Sequence, residues 1–308
     1  MPCSTDRVRW LILGFVAAAC SSSDAGTGAL VVGVQADDLG GLASSMHWVV
    51  RQDGAVIADA TGAAAATPEI ALHGAPGARV DVEASALGPT GATVVTQTAS
   101  SLLVDGGKKL LRVHLAGACV GVVCPATQTC SAGACVGSTV ATSDLEDYAT
   151  GWAGAPPDVC RPAQHGAPSV VLGLGQTDYG TLNDGQTVSL EKGTQGGHHF
   201  WIAVRMKNLR QTGTTTSVHA TLEGDATPVP PTAVVFGYVP DEGAFCKVWG
   251  IRYQVDVGAD LATGYKRFLG KRLDVTVDVA DSTGAKASST RMIMIADLLL
   301  CPDGTHDC

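Results

Sequence analysis

"KRLDVTVDVADSTGAKASSTRMIMI", Lys271 to Ile295, alternates apolar and polar residues on either side of an Asp-Ser-Thr-Gly turn. A period of two marks a strand with one buried face. Two such runs around a glycine-bearing turn make a hairpin. Leu273, Val275, Val277 and Val279 share its inward face. The same pattern recurs along the chain, with strands expected near 169–176, 186–192, 198–208, 214–223, 232–239 and 248–257. Nearer the N-terminus they fall near 29–37, 45–52, 55–60, 68–73, 79–86, 93–104 and 108–116. Gln52-Asp53-Gly54 joins the second and third of these as a tight turn, glycine supplying the positive φ. No long segment repeats apolar residues at helical spacing. The expected fold is all-β, with two β-sandwich domains of immunoglobulin-like or transthyretin-like type joined by a disulfide-rich connector.

The N-terminus supplies an address. Arg7 and Arg9 precede an apolar run from Trp10 to Ala19. That run is shorter than the roughly 20 residues needed to cross a bilayer, so it reads as an export signal. Ala17-Ala18-Ala19 suits cleavage, and Cys20 directly after it suits the bacterial lipoprotein pattern. Eight further cysteines form an even set: Cys119, Cys124, Cys130, Cys135, Cys160, Cys246, Cys301 and Cys308. Cys20 is then the odd thiol, and acylation removes the anomaly. Ser21 resembles the sorting signal for a Gram-negative outer membrane.

The expected organisation is a signal peptide (1–19), a lipidated tether (20–28), a sandwich (29–117), a cysteine-rich connector (118–136), a linker (137–167) and a second sandwich (168–308). In the connector the spacing is C-x4-C-x5-C-x4-C. Zinc sites favour tighter pairs and reducing compartments, so two disulfides are expected, first to third and second to fourth. A formal net charge of -9 argues against a nucleic-acid partner. Membrane attachment through the lipid is expected instead, with an envelope protein or a glycan as a further partner.

Chemistry-bearing motifs are sparse. There is no G-x-S-x-G, H-E-x-x-H or Walker loop. "GLGQTDYG", Gly173 to Gly180, puts Asp178 where a dinucleotide loop needs Gly. Asp178, Asn183 and Asp184 carry oxygens that suit Ca²⁺, but polar turn residues are the commoner explanation. "GTQGGHHFWIAVRM", Gly193 to Met206, is the stretch that invites a site. As a strand it places His198, Phe200, Ile202, Val204 and Met206 on a core face, with His199, Trp201, Ala203 and Arg205 opposite. Adjacent histidines then point apart, which disfavours a shared metal.

Pairing this strand with 214–223 would set Ala203 or Arg205 beside His219, and His199 near Glu223 or Asp225, about 10 Å from His219. The expected binding surface is therefore His199, Trp201, Arg205 and His219. Arg205 is expected to stack on Trp201. No metal, cofactor or catalytic residue is expected. The alternative is a secreted zinc or copper protein using His198 or His199.

Tyr179 to Leu209 resembles a segment of uncharacterised secreted surface lipoproteins of gliding soil bacteria. There an L-x-D-G turn precedes Q-G-G-x-H-x-W and a strand. Leu182, Asp184, Gly185, Gln195, Gly196, Gly197, His199 and Trp201 carry the likeness, and the cysteine-rich connector adds to it. The resemblance implies a secreted β-domain and no activity. Together these readings point to a non-catalytic cell-envelope lipoprotein with a structural or recognition role.

Overall fold

A computed structural model describes residues 27–194, 196–225, 228–301 and 305–306. The expected signal peptide, most of the tether, Cys20 and Cys308 lie outside the described residues. Seven strands open the chain: β1 (Gly28–Ala36), β2 (Ser45–Gln52), β3 (Ala55–Ala63), β4 (Glu69–Gly74), β5 (Arg79–Leu87), β6 (Thr93–Leu102) and β7 (Lys109–Leu115). Two short strands, β8 (Gln128–Ser131) and β9 (Ala134–Gly137), follow as a separate ribbon. A two-residue strand, β10 (Glu146–Asp147), joins the edge of β7. The first sheet runs β10-β7-β1-β4 and the second β3-β2-β5-β6.

Both sheets contribute to one core. Val32 and Val34 from β1, Met46 and Val50 from β2, Val80, Val82 and Ala84 from β5, and Leu111 from β7 are buried in a single cluster. The alternation in "RVDVEASAL" decides which face of β5 joins it, and Arg79 is exposed on the other side. Each valine or leucine so buried contributes roughly 1.5–3 kcal/mol. The expected Gln52-Asp53-Gly54 turn is present, with φ of 48° at Asp53 and 84° at Gly54. Two positive φ values match the twist of the strands they join.

The cysteine segment docks on the first two sheets. Cys119–Cys130 and Cys124–Cys135 are bridged, the expected pairing. Gln97 Nε2 on β6 donates to the Cys130 carbonyl at 2.7 Å, and Cys119 and Cys130 enter the same core.

The stretch expected as a linker is largely a strap bound to this half. Val140 and Leu145 are buried in the core, and the Val140 N–H donates to the Ser100 carbonyl at 2.8 Å. Trp152 is buried over Val31 and Leu110, and its indole N–H donates to Glu69 at 2.6 Å. Gly33 lets the ring lie against β1, since a Cβ there would overlap the indole. Arg112 grips Glu146 with two hydrogen bonds, at 2.8 and 2.7 Å. A segment of small residues, acids and prolines thus carries a few large anchors, which composition alone hides.

Ten strands form the remainder: β11 (Ser169–Leu174), β12 (Gly180–Thr181), β13 (Gln186–Lys192), β14 (His198–Lys207), β15 (Thr214–Leu222), β16 (Val229–Phe236), β17 (Val239–Pro240), β18 (Cys246–Gln254), β19 (Arg272–Ala280) and β20 (Lys286–Leu300). β14 pairs with β18 along one side. Along the other it pairs with β11 over Ile202–Lys207 and with β13 at His198 and His199. β13 continues parallel to β20, and β20, β19, β15 and β16 follow in order. The quoted β19–β20 hairpin is present, and Leu273, Val275, Val277 and Val279 are fully buried as its inward face.

The expected pairing of 198–208 with 214–223 fails. β14 and β15 do not pair, and β15 lies between β19 and β16. Consecutive strands are spatial neighbours only about two-thirds of the time. Here the connection after β14 passes through Asn208 at φ 60° and Gly213 at φ 69°, and carries the chain to another part of the sheet.

Candidate functional site

The Gly193–Gly197 turn sets the start of β14. The Gly193 N–H donates to the Gly197 carbonyl at 2.9 Å, and Gly196 N–H to the Gly193 carbonyl at 3.0 Å. Gly196 and Gly197 have φ of 79° and 75°, where a side chain is strained. A Cβ on Gly197 would also come within 2.5 Å of Gln254 Nε2.

His198 then points into the core, as its parity predicts. Its Nδ1 lies 2.7 Å from Asp256 Oδ2, and its backbone N–H donates to Asp256 Oδ1 at 3.0 Å. The ring stacks on Tyr265 with centroids 4.0 Å apart. Burial raises the Asp256 carboxyl, but the hydrogen bonds from His198 and Gln254 outweigh it and hold the group below the usual carboxylate range. This pairing fixes the chain against β18 and the loop beyond it.

His199 points the other way, yet it is 5% exposed. Its ring meets the edge of Trp201 at 5.0 Å, and Nε2 stands 4.0 Å from Glu191 Oε2. Glu191 instead accepts the Trp201 indole N–H at 2.8 Å. The His199 Nε2 atom is buried with no hydrogen-bond partner. Burial, then the charge of Arg252 and the neighbouring His198, lower its pKa to about 4. His199 is therefore neutral at pH 7. The expected neighbours Glu223 and Asp225 are replaced by Glu191, because β13 rather than β15 flanks this end of β14.

The four residues expected to share an outer face do not form one surface. His199 is buried and Trp201 half-buried. Arg205 stacks on Tyr179 at 4.3 Å, not on Trp201, and pairs with Asp241 at 2.5 Å and Glu242 at 3.2 Å. Burial opposes its charge, but those two acids raise its pKa. Lys247 extends the network to Asp241 and Asp178. His219 lies on β15 opposite Thr276, with Nδ1 3.4 Å from Asp278 Oδ2. The failed strand pairing accounts for this separation.

Asp178 and Asp184 are likewise engaged by the protein: Asp178 by Lys247, and Asp184 by the Met292 N–H at 3.1 Å. Among the described residues, no group of three or more His, Cys, Asp or Glu side chains is arranged to hold a metal ion.

The cavity that merits attention lies elsewhere, under "APPDVCRPAQH", Ala155 to His165. It has a volume of about 330 Å³ and is walled by β6, β7, the cysteine ribbon, this strap segment and Arg210. Cys160–Cys246 ties the strap covalently to β18. Arg161 links the strap residue Asp144 to the β19–β20 turn. Its guanidinium reaches Asp144 at 2.6 Å, Asp281 at 2.8 Å, Thr283, and His165 Nε2 at 3.2 Å. Burial raises the Asp281 carboxyl, but bonds from Thr283 and the Arg210 N–H, with the charge of Arg161, hold it below its usual range. Sequence reasoning missed this site. Its one signal is a cysteine and an arginine set between prolines, in a stretch otherwise resembling a tether.

No protein-family model matches the chain, and no curated protein sequence does. Among solved structures, a leucine-rich repeat protein from Bacteroides thetaiotaomicron aligns at 9% identity and a TM-score of 0.19. That alignment covers 88% of this chain and 26% of the other, so the chain spans about a quarter of that protein's length. The N-terminal domain of PorA aligns over 42% of this chain and 98% of its own, at 15% identity and a TM-score of 0.18. A 1.5-MDa bacterial ice-binding adhesin aligns over 88% of this chain and 64% of that one, at 10% identity and a TM-score of 0.22. At such TM-scores these likenesses carry no weight for fold family or function.

Proposed function

We propose that this chain is an exported, non-catalytic envelope lipoprotein with two β-sandwich domains, which works by recognition at the cleft between them. Cys20 carries the lipid, the outer membrane is the site of action, and an envelope protein or glycan is the partner. The likeness to surface lipoproteins of gliding soil bacteria belongs to this same reading. The observation that carries it is the Cys160–Cys246 bridge. A bridge closing a loop of 86 residues favours an oxidising compartment. It also pins the strap that walls the cavity, so the cleft is formed before any partner arrives. Preformed concavities of roughly 300–1,000 Å³ are where proteins hold small ligands or single residues of larger ones.

The test is a binding screen of the mature protein against envelope glycans and purified envelope proteins, run beside a cleft-filling Gln164→Trp variant. Recognition at the cleft predicts at least one partner bound by wild type and lost in the variant. A partner bound equally by both would place recognition elsewhere. A turnover activity lost in the variant would contradict the non-catalytic reading.

A further inference from the structure

We infer that the cleft under the strap binds a small ligand carrying a carboxylate and an apolar body, with Arg210 as the group that pairs with its charge. The inference rests on the cleft being the recognition site and adds the chemistry of what it holds. Every acid in the cavity wall is already committed within the protein. Both Glu146 oxygens accept from Arg112. Asp144 Oδ1 accepts from Arg161, and its Oδ2 faces His165 Nε2 at 3.5 Å. Asp158 Oδ1 accepts the Cys160 and Arg161 N–H groups, and Oδ2 that of Gln211. A cationic ligand entering the cleft therefore finds acids whose oxygens, Asp144 Oδ2 apart, already accept hydrogen bonds from the protein.

The bases in the wall differ from one another. Arg112 is consumed by Glu146, Gln35 and the carbonyls of Trp152 and Ala155. Arg161 is consumed as described above. His114 Nε2 lies 2.6 Å from Asp37 Oδ1. Arg210 is held by its backbone, whose N–H donates to Asp281 at 3.0 Å and whose carbonyl accepts from Thr214 at 2.6 Å. Its guanidinium has no protein partner among the described residues, and Arg210 is one of the residues that line the cavity. A guanidinium on an anchored backbone offers a planar fork that matches a carboxylate with two parallel hydrogen bonds. Pro156, Pro157, Val159 and Pro162 of the same wall give a rigid apolar surface, which suits a hydrocarbon or ring body.

Isothermal titration of the mature protein with matched acid and amide pairs tests this: N-acetylproline against N-acetylprolinamide, hexanoate against hexanamide, and glucuronate against glucuronamide. At least one acid should bind at least tenfold more tightly than its neutral partner. Arg210→Gln should weaken that acid by tenfold or more with an unchanged melting temperature, because the side chain holds nothing else in place. Gln164→Trp should abolish the binding. Equal affinity for acid and amide, or indifference to Arg210→Gln, overturns the anion assignment while leaving the cleft as a recognition site. Acid binding that survives Gln164→Trp overturns the location. If none of the probes binds, the inference fails, and a partner found in the glycan and protein screen would show that the broader reading survives it.

Discussion

His199 gives a stability signature that can be read against pH. Its imidazole is buried, and its pKa falls from 6.5 to about 4 in the folded chain. The folded protein therefore refuses a proton that the unfolded chain accepts between those two values. Stability from this group is complete above pH 6.5 and is lost as pH falls toward 4. At about 1.36 kcal/mol per unit, the loss amounts to about 3 kcal/mol. His199→Phe keeps a ring against the edge of Trp201 and removes the titration. Urea denaturation of both proteins at pH 7, 6, 5 and 4, followed by tryptophan fluorescence, isolates the effect. Carboxylates with lowered pKa values, such as Asp256 and Asp281, also cost stability in acid, but they cancel between the two proteins. Wild type should lose about 3 kcal/mol more than the variant between pH 7 and 4. Parallel pH curves, or a His199 imidazole titrating near 6.5 by NMR, would refute the burial argument.

Three further outcomes follow from the same structure. Gly197→Val forces a branched side chain to a positive φ and against Gln254, and should destabilise by roughly 1–3 kcal/mol in denaturant melts. His198→Ala leaves a buried Asp256 oxygen without its imidazole partner and should cost at least about 2 kcal/mol, with His198→Asn recovering part of the loss. Replacing Cys160 and Cys246 together by Ser frees a loop of 86 residues, which the chain-entropy account values at roughly 4–5 kcal/mol. Proteinase K should then cut within the strap, and an uncut strap in that variant would mean the ion pairs alone hold it.

The strands were legible because each half-buried run alternates cleanly and most turns carry a glycine. "RLDVTVDVA" can hide Leu273, Val275, Val277 and Val279 only by lying extended, and it does. Strand neighbours were less legible. Nothing local in "KNLRQTGTT" says that the chain leaves β14 instead of folding back on it, so the sequence pattern puts His219 beside Arg205, whereas it lies beside Asp278. The outward parity of His199 was read correctly, but parity does not say whether a face is covered. A central strand with cover on both sides buries residues of both parities, as His198 and His199 show. The strap was hidden for the opposite reason. Trp152, Arg112 and Arg161 are single anchors far apart in sequence, and their partners Glu69, Glu146 and Asp281 can be matched to them only in three dimensions.

The proposal at the centre is a lipid-anchored protein of an oxidising envelope, and intact mass spectrometry of the native protein tests it most directly. Measured after thiol alkylation without reduction, the mass should correspond to a chain beginning at Cys20, increased by the acyl and glyceryl groups of a bacterial lipoprotein, with no alkylated cysteine. A chain that keeps residues 1–19, or that begins after residue 19 without lipid, would contradict the anchor. Alkylation at Cys119, Cys130, Cys160 or Cys246 would contradict the oxidising compartment.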